Sequence, residues 1–311
     1  MLLHAQIPNR VGSLGSLLET FLPWFAVFIP VLAAGALWRR SVSAMIALML
    51  PVTAWLSLFG GLLVDKSEPG GDLTVATHNV GAGNPDPAGT AHDLVASGVD
   101  VLALEEITDE DRRVYEKELA GTYPYHTVQG TVAYHTVQGT VGVWSKLPLS
   151  GTRPVDIATD YGPLADTKPA DVQLAGNRAL RTTVTTDQGP LVVYVAHLGS
   201  VRLNPRAGFW TDSRDRNAEA LGKVLAADRS ERVMLLGDLN GTLDDRALTG
   251  ITSQLESAQD AAGDGFGFSW PAKFPVARID QILVRGVEAT GSWTLPATGS
   301  DHLPVAAGVS W

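Results

Sequence analysis

The stretch Val233-Met234-Leu235-Leu236-Gly237-Asp238-Leu239-Asn240 joins an apolar run directly to two polar side chains. Four consecutive apolar residues ahead of a glycine predict a strand that is buried on both faces. Asp238 and Asn240 are two positions apart, so in an extended segment their side chains leave the same face. The stretch therefore predicts a buried strand that delivers a carboxylate and a carboxamide into one cleft. A simple Asx turn is the competing interpretation.

Five other segments share this arrangement, in which an acidic, amide or imidazole side chain follows or interrupts a strand-like apolar run. They are Thr77-His78-Asn79-Val80, Ala103-Leu104-Glu105-Glu106, Ala196-His197-Leu198, Arg278-Ile279-Asp280 and Ser300-Asp301-His302. Hard oxygen and amide ligands delivered from strand ends suit one Mg²⁺-type ion held together with a phosphate ester. One such segment arises easily by chance, whereas the whole set predicts a site.

The other apolar patterns predict a layered α/β fold. A helix is expected over residues 213–227, where Ala218, Leu221 and Leu225 form an apolar stripe, and a shorter one over 109–119. Strands are expected at 73–80, 99–104, 142–145, 179–185, 191–197, 233–236, 278–284 and 305–309. Strands mixed with helices favour a layered α/β fold over an all-β sandwich.

The order and wording of the six segments resemble the endonuclease/exonuclease/phosphatase superfamily, which includes DNase I-like nucleases, abasic-site endonucleases, inositol polyphosphate phosphatases and neutral sphingomyelinases. The resemblance covers residues 72–311. It implies a four-layer α/β sandwich that cleaves phosphodiesters, phosphomonoesters or pyrophosphates with a divalent metal, Mg²⁺ or alternatively Mn²⁺. Fold alone does not select the substrate.

Three residues are predicted to hold the metal. Glu106 is the preferred principal ligand, because a carboxylate at a strand end can enter a cleft without being buried unpaired. The carboxamide oxygen of Asn79 is the second ligand, and Asp301 is a candidate additional ligand or water-positioning group. The family often has Gln at the position of Glu105, so an exchange of roles between Glu105 and Glu106 stays open. A capping role for Glu106 and a turn role for Asn79 are the alternatives.

Five residues are predicted to be catalytic. Asp238 orients or deprotonates the attacking water, and Asn240 fixes both Asp238 and a nonbridging phosphate oxygen. Asp280 sets the tautomer of His302, which then stabilises phosphoryl charge. His197 contacts phosphate or protonates the leaving group. A satisfied core histidine and a surface Asp-His pair are the alternatives for His197 and for Asp280 with His302.

Substrate contacts are predicted with less support from the sequence. Arg178 and Arg181 are candidates for a phosphate clamp, although solvated arginines are the usual finding. Two segments rich in basic or aromatic residues, 202–216 and 266–274, could select the substrate by seating at a lipid headgroup boundary or by stacking on bases. Ordinary hydrophobic packing is an equal alternative for the second segment.

The N-terminal part of the chain is apolar. Phe21–Trp38 and Val42–Val64 carry no charged residue, and each approaches the length of about 20 residues that crosses a bilayer. Two transmembrane helices are therefore predicted within residues 21–64; a pair of buried core helices is the alternative. The positive-inside rule places the Arg39-Arg40 loop in the cytoplasm. Residues 1–20, the short linker 65–71 and the catalytic domain 72–311 would then be extracytoplasmic.

Charge and composition restrict the partners. Residues 66–311 contain 20 Lys and Arg against 31 Asp and Glu, a net charge of −11. This charge argues against duplex DNA, because phosphate backbones bind to clustered cations. The chain has no cysteine, so disulfides and thiolate ligands are excluded. No protein partner is evident, and the expected partners are the membrane and a phospholipid or lipid pyrophosphate.

Two spans ahead of this type of domain most closely resemble the actinobacterial membrane proteins linked to teicoplanin resistance, the VanJ type. That resemblance implies dephosphorylation of an extracytoplasmic lipid pyrophosphate of the undecaprenyl type. One feature stays outside this interpretation: Tyr125–Val132 reads YHTVQGTV and is repeated at Tyr134–Val141. A recent duplication is favoured over a metal pair formed by His126 and His135.

Overall fold

A computed structural model describes residues 3–129, 140–157, 178–205 and 208–311. Two six-stranded mixed sheets face each other, and a small two-stranded hairpin lies apart from them. The predicted α/β sandwich is confirmed. The repeated segment Tyr134–Val141 lies mostly outside the described residues. It includes His135, the partner of His126 in the alternative metal pair.

The first sheet contains both ends of the domain. Its strands, in spatial order, are β13 (Glu288–Thr294), β14 (Val305–Ser310), β1 (Leu73–Asn79), β2 (Val101–Ile107), β4 (Thr140–Ser145) and β3 (Tyr125–Gln129). The central strands β1 and β2 are parallel, and all other pairs in this sheet are antiparallel.

The second sheet has a matching plan. Its strands, in spatial order, are β11 (Glu256–Ser257), β12 (Asp280–Arg285), β10 (Val233–Asp238), β7 (Gly189–Ala196), β6 (Ala179–Thr186) and β5 (Leu149–Pro154). Here β7 and β10 are the parallel pair, so each sheet directs the carboxyl ends of two central strands to one edge. The separate hairpin consists of β8 (Arg202–Asn204) and β9 (Gly208–Trp210).

Helices cover the outer faces of the two sheets. The helices of the domain are α4 (Pro87–Ala96), α5 (Asp109–Leu119), α6 (Asp212–Ala227), α7 (Thr249–Thr252) and α8 (Ala258–Ala262), with a 3₁₀ turn at Arg246–Leu248. Valine and leucine side chains, such as Val75 and Leu236, fill the space between the sheets. Leu94 and Leu119 pack α4 and α5 on the first sheet, and Leu221 packs α6 on the second. The result is the predicted order helix, sheet, sheet, helix.

The apolar N-terminal region forms three helices with 3₁₀ turns around them. These are α1 (Leu14–Thr20), α2 (Phe28–Trp38) and α3 (Val42–Phe59), with 3₁₀ turns at His4–Gln6, Leu22–Val27 and Gly60–Leu63. The continuous stretch Val42–Leu63 is long and apolar enough to cross a membrane, and only 11% of its apolar 18-residue part is buried. The other predicted span lies in a pair, Leu14–Thr20 and Leu22–Trp38, that is bent by 71°. Low burial argues against the core-helix alternative, and two crossings stay a prediction.

Residues 4–20 pack on the catalytic domain. The buried carboxylate of Glu19 pairs with Arg246 at 2.8 Å and with His4 at 3.1 Å. Ser16 donates a hydrogen bond to Asp245, and the backbone N–H of Phe209 donates to Gly12. The N-terminal segment is therefore part of the folded domain.

Candidate active site

The predicted site residues lie where the carboxyl ends of the central strands of both sheets meet. Asn79 is the last residue of β1 and Asp238 the last residue of β10. The Asn79 Nδ2 group donates to Asp238 Oδ2 over 3.0 Å, which joins the two sheets directly at the site. Asn79 Oδ1 accepts from the backbone of Gly81, so both ends of its carboxamide are fixed.

Glu106 reaches the site through an unusual backbone conformation. Its φ of +61° is left-handed, and the pairing of β2 with β4 shifts register between Leu104 and Ile107. Such a conformation is unfavourable for a residue with a side chain and is typical of functional positions. Glu106 Oε2 accepts from the Ala82 backbone, and Oε1 lies 3.6 Å from His197 Nε2. The neighbouring Glu105 is fully buried and accepts from Thr77, so the geometry favours Glu106 at the site.

Close backbone packing fixes the loop that carries Asp238 and Asn240. Gly237 has a φ of +146°, and a Cβ at this position would lie 2.0 Å from the carbonyl oxygen of Ala196. Asp238 Oδ1 accepts from the Asn240 backbone at 2.8 Å, and Asn240 Nδ2 donates to the Leu198 carbonyl at 3.1 Å. Asn240 itself is left-handed, with φ +49°. The Asp238 to Asn240 backbone hydrogen bond is the Asx turn given as the competing interpretation, and the Asn240 Nδ2 group donates to Asp238 Oδ2 at 3.3 Å, so the two side chains lie together without an extended segment.

Asp280 and His302 form the predicted pair. His302 Nδ1 donates to the Asp280 carboxylate at 2.9 Å, and His302 Nε2 lies 3.9 Å from Asp238 Oδ2. Burial lowers the pKa of His302, but the charges of Asp280 and Asp238 outweigh it and raise that pKa to about 10. Burial, partly opposed by His302, raises the pKa of Asp238 to about 7. The arrangement places an imidazolium beside the carboxylate that is predicted to activate water.

His197 is buried next to Arg178. The Arg178 Nη1 group lies 3.5 Å from His197 Nε2, and Nη2 donates to the Leu198 carbonyl. Nε2 also lies 3.6 Å from a carboxylate oxygen of Glu106 and 3.6 Å from one of Asp238. Burial lowers the pKa of His197 well below its usual value, with Arg178 contributing. His197 therefore lies between the Arg178 guanidinium and two carboxylates of the site, and its predicted contact with phosphate or with the leaving group stays a prediction.

Some predicted residues lie elsewhere. Arg181 points to the outer face of the second sheet, where its Nε donates to Asp228 at 3.0 Å. It alternates away from the site face, so its predicted role as a phosphate clamp is wrong. Asp301 is exposed, and its carboxylate accepts from the Trp270 indole at 3.3 Å. It is therefore placed at the rim and outside the carboxylate cluster.

Several side chains of segments 202–216 and 266–274, which were predicted to select the substrate, take part in packing within the protein. Arg214 is fully buried between Asp215 and Asp245, which removes it from any substrate surface. Phe266 and Phe268 stack on each other and pack against the apolar helices. Hydrophobic packing, the alternative given for the second segment, describes these two rings. Phe274 remains 70% exposed.

Several side chains of the site were not singled out from the sequence. Ser269 donates to Asp280 at 2.6 Å, and Ser300 donates to the Asn79 carbonyl at 2.6 Å. Burial lowers the pKa of His78 to about 3, and its Nε2 contacts Thr298. Ser300 and His78 lie inside two of the six segments, so position alone could have drawn attention to them. Ser269 has no such signal, because its loop shows no periodic pattern.

The donor set suits a hard divalent cation. Asp238, Asp280 and His302 offer ligand atoms within 4.8 Å of one another. The Asp280 to His302 hydrogen bond already occupies two of these groups, so this trio is better described as an internal ion pair. Glu106 and Asn79 present the carboxylate and carboxamide oxygens that Mg²⁺ and Mn²⁺ bind. Asn79 contacts Asp238 directly and Glu106 lies 3.6 Å from His197, so both are at the site, and their role as metal ligands stays a prediction.

Comparison with known proteins supports the family resemblance seen in the sequence. The sequence matches the profile of the Endonuclease/Exonuclease/phosphatase family over residues 76–302. Comparison with curated protein sequences gives no match. A functionally unknown conserved protein from Enterococcus faecalis V583 has a similar structure, with a TM-score of 0.60 and 15% identity, over 76% of this chain and 99% of its own.

Two other similar structures are of named proteins. The mannosyl-6-phosphatase Bt3783 of Bacteroides thetaiotaomicron gives a TM-score of 0.56 at 16% identity, over 77% of this chain and all of its own. A humanized TDP2 from D. rerio gives 0.57 at 16% identity, over 76% and 98% of the two chains. At this identity the likeness shows the fold alone. With the family profile spanning Asn79 to His302, the chain belongs to the endonuclease/exonuclease/phosphatase family.

Proposed function

We propose that this protein is a membrane-anchored, divalent-metal-dependent phosphoesterase that hydrolyses a lipid pyrophosphate outside the cytoplasmic membrane. The observation that carries the proposal is the convergence of Asn79, Glu106, Asp238 and the Asp280–His302 pair at one edge of the sandwich, in a chain that also exposes a long apolar helix. Family membership supplies the reaction class. The apolar helices supply the reason to choose a lipid.

The residues have complementary roles in such a reaction. Asp238, ionised above its pKa of about 7, accepts a proton from the attacking water. The imidazolium of His302 stabilises the charge that develops on the phosphoryl oxygens. Arg178, beside His197, would donate to a phosphate oxygen. A divalent ion held by Glu106 and Asn79 would neutralise phosphate charge when bound.

Three observations support a substrate held in the membrane. The stretch Val42–Leu63 exposes large apolar side chains, including Val42 at 74% and Ile46 at 67%. Residues 4–20, which precede the apolar region in the chain, pack on the catalytic domain. This packing holds the domain close to the apolar region, so no long tether would separate the site from a bilayer. The resemblance to actinobacterial proteins linked to teicoplanin resistance suggests a pyrophosphate of the undecaprenyl type and a role in glycopeptide resistance.

A second candidate function is cleavage of a phosphodiester, either in an extracellular nuclease or in a sphingomyelinase-like enzyme. The family resemblance, which includes DNase I-like nucleases and neutral sphingomyelinases, keeps this candidate open. The net charge of −11 over residues 66–311 opposes a nuclease. A non-enzymatic scaffold or sensor is the third candidate, and the complete set of polar groups at the site opposes it.

A turnover comparison tests these candidates. The full-length protein in detergent, with Mg²⁺ or Mn²⁺, is incubated separately with undecaprenyl pyrophosphate, sphingomyelin and plasmid DNA. We expect phosphate release from the lipid pyrophosphate, lost in Glu106→Ala and in Asp238→Ala and retained in Glu219→Ala, an exposed glutamate on α6. Nicking of DNA that slows steeply with salt would instead identify a nuclease. Metal binding without turnover on any substrate would identify a scaffold.

A further inference from the structure

Five aromatic side chains connect the apolar N-terminal region to the catalytic domain. This aromatic cluster consists of Trp24, Trp55, Phe59, Phe266 and Phe268. Trp24 stacks on Phe268 with ring centroids 5.8 Å apart, and Phe268 stacks on Phe266 at 5.2 Å. Phe266 in turn contacts Trp55 at 6.2 Å and Phe59 at 6.1 Å. Three of the five rings come from the apolar region and two from the loop ahead of Asp280.

The same loop carries the group that orients Asp280. Ser269, next to Phe268, donates to Asp280 Oδ2 at 2.6 Å and is fully buried. Its hydroxyl oxygen also accepts from the backbone of Ile279 and of Asp280, each at 3.3 Å. The Ser269 carbonyl accepts from the backbone N–H of Leu303 at 2.8 Å, beside His302. One residue therefore touches both strand ends that carry the Asp280–His302 pair.

A second contact fixes the far side of this loop. The indole N–H of Trp24 donates to the carbonyl of Val276 at 2.8 Å. Val276 and Ala277 pair with Trp270 through backbone hydrogen bonds of 2.8 to 3.0 Å, and Ser269 pairs with Ala277 at 3.0 Å. Trp24 thus contacts both arms of the loop: it stacks on Phe268 in the first arm and donates a hydrogen bond to Val276 in the second.

We propose that the apolar region supports the geometry of the active site in addition to anchoring the protein. Trp24 of this region and Phe268 hold Ser269 in place, and Ser269 positions Asp280 and His302. Ser269, Phe268 and Trp24 are positioning residues in this arrangement, because none of them contacts the reacting phosphate. The inference rests on the proposed hydrolase function for its kinetic consequence. Its structural consequence, a fixed His302 to Asp280 hydrogen bond, is independent of the substrate.

The geometry explains why such a support is required. Asp280 is fully buried, and a buried carboxylate is held by the hydrogen bonds it accepts. Ser269 and His302 supply these bonds, so movement of the loop would turn the carboxylate away from His302. Displacement of a catalytic group by about 1 Å can lower the rate by roughly 100-fold.

Kinetics of full-length variants in detergent, on a water-soluble phosphate ester, test the positioning. Ser269→Ala and Phe268→Leu are expected to lower kcat about 10- to 100-fold with little change in KM. Ser269→Thr, which keeps the hydroxyl, should restore most of kcat. Phe25→Leu is the matched control, because Phe25 pairs with Phe28 within the apolar region, and its kcat should stay near wild type. A soluble substrate removes any effect of membrane delivery.

The second readout does not need turnover. In ¹⁵N-histidine-labelled protein, the His302 Nδ1–H donated to Asp280 should give a downfield proton resonance, assigned by its absence in His302→Gln. We expect this resonance to shift or broaden in Phe268→Leu and to stay unchanged in Phe25→Leu. An unchanged resonance in Phe268→Leu would overturn the inference, whatever happens to kcat. If no phosphate ester is turned over but the resonance responds, the proposed function fails and the positioning stands.

Discussion

At the scale of single residues, the site is a set of buried charges that determine one another's protonation. Asp238 and Asp280 lie on either side of His302, and all three are largely buried. Two carboxylates in a dry pocket need a cation, and His302 supplies it. The two carboxylates raise the pKa of His302 to about 10, whereas burial raises that of Asp238 to about 7 against the opposing charge of His302, and these values belong to the interacting group as a whole.

These shifts predict the pH dependence of kcat/KM. Asp238 must be ionised to accept a proton, so activity should rise with pH through about 7. His302 stabilises phosphoryl charge as a cation, so activity should fall as pH rises through about 10. Asp280→Asn should move both limbs to lower pH, because Asp280 raises both pKa values. The measurement is kcat/KM on a soluble phosphate ester from pH 5 to pH 11, at intervals of about one pH unit.

The control for this profile is Asp301→Asn. The charge of Asp301 raises the pKa of His302 less than that of Asp280 does, so only the alkaline limb should move, and by less than in Asp280→Asn. If Asp280→Asn leaves the alkaline limb where it is in the wild type, His302 is not the group that titrates there.

At the scale of secondary structure elements, the outcome of sequence reasoning follows the strength of the local pattern. The buried strand β10 and helix α6 have long apolar runs or stripes, and both were predicted within a few residues of their observed bounds. Strand β5 is an edge strand of mostly exposed residues, so it carries no such pattern. The ends of β1 and β10 bring Asn79 and Asp238 to the site, and the loop ahead of β14 brings His302. The contributions of Ser269 and Arg214 come from loop and helix packing, which local spacing does not encode.

Arg214 gives a prediction at this scale, because it ties three elements together. From α6 it pairs with Asp245 at 2.8 Å, and Asp245 accepts from Ser16 of α1. Arg214 also donates to the carbonyl of Asn240 after β10, at 3.2 Å. Arg214→Met should lower the free energy of unfolding by about 3 to 5 kcal/mol, because it leaves a buried carboxylate unpaired. Denaturant unfolding of the detergent-solubilised protein measures this.

Two variants make the Arg214 result specific. Lys223→Met removes an exposed ion pair from the same helix and should cause no measurable loss of stability. Asp245→Asn added to Arg214→Met should recover part of the loss, because it removes the unpaired charge. Equal stability of Arg214→Met and Lys223→Met would show that the buried network does not hold these elements together.

At the scale of the whole molecule, the packing of residues 4–20 constrains how the chain can cross a membrane. Glu19 precedes the apolar helices, Arg246 lies in the catalytic domain, and the two form an ion pair. In a bilayer, both ends of the apolar region would therefore lie on the same side. The proposed crossings would then be even in number, because a single crossing by Val42–Leu63 is incompatible with that contact. Leu22–Trp38, though bent relative to α1, is the segment available for the second crossing.

Single-cysteine labelling tests this topology, and the native chain is suited to it because it contains no cysteine. Arg10→Cys and Glu68→Cys place one thiol before and one after the two apolar segments, and Ser43→Cys places one in the first turn of α3, next to the Arg39-Arg40 loop; all three positions are exposed. With the Arg39-Arg40 loop in the cytoplasm, a membrane-impermeant maleimide should label Arg10→Cys and Glu68→Cys in intact cells. Ser43→Cys should react only after the cells are permeabilised. Labelling of Ser43→Cys together with the other two in intact cells would mean that the apolar helices do not cross the membrane. Labelling of Ser43→Cys alone would place the catalytic domain in the cytoplasm, away from any extracytoplasmic substrate.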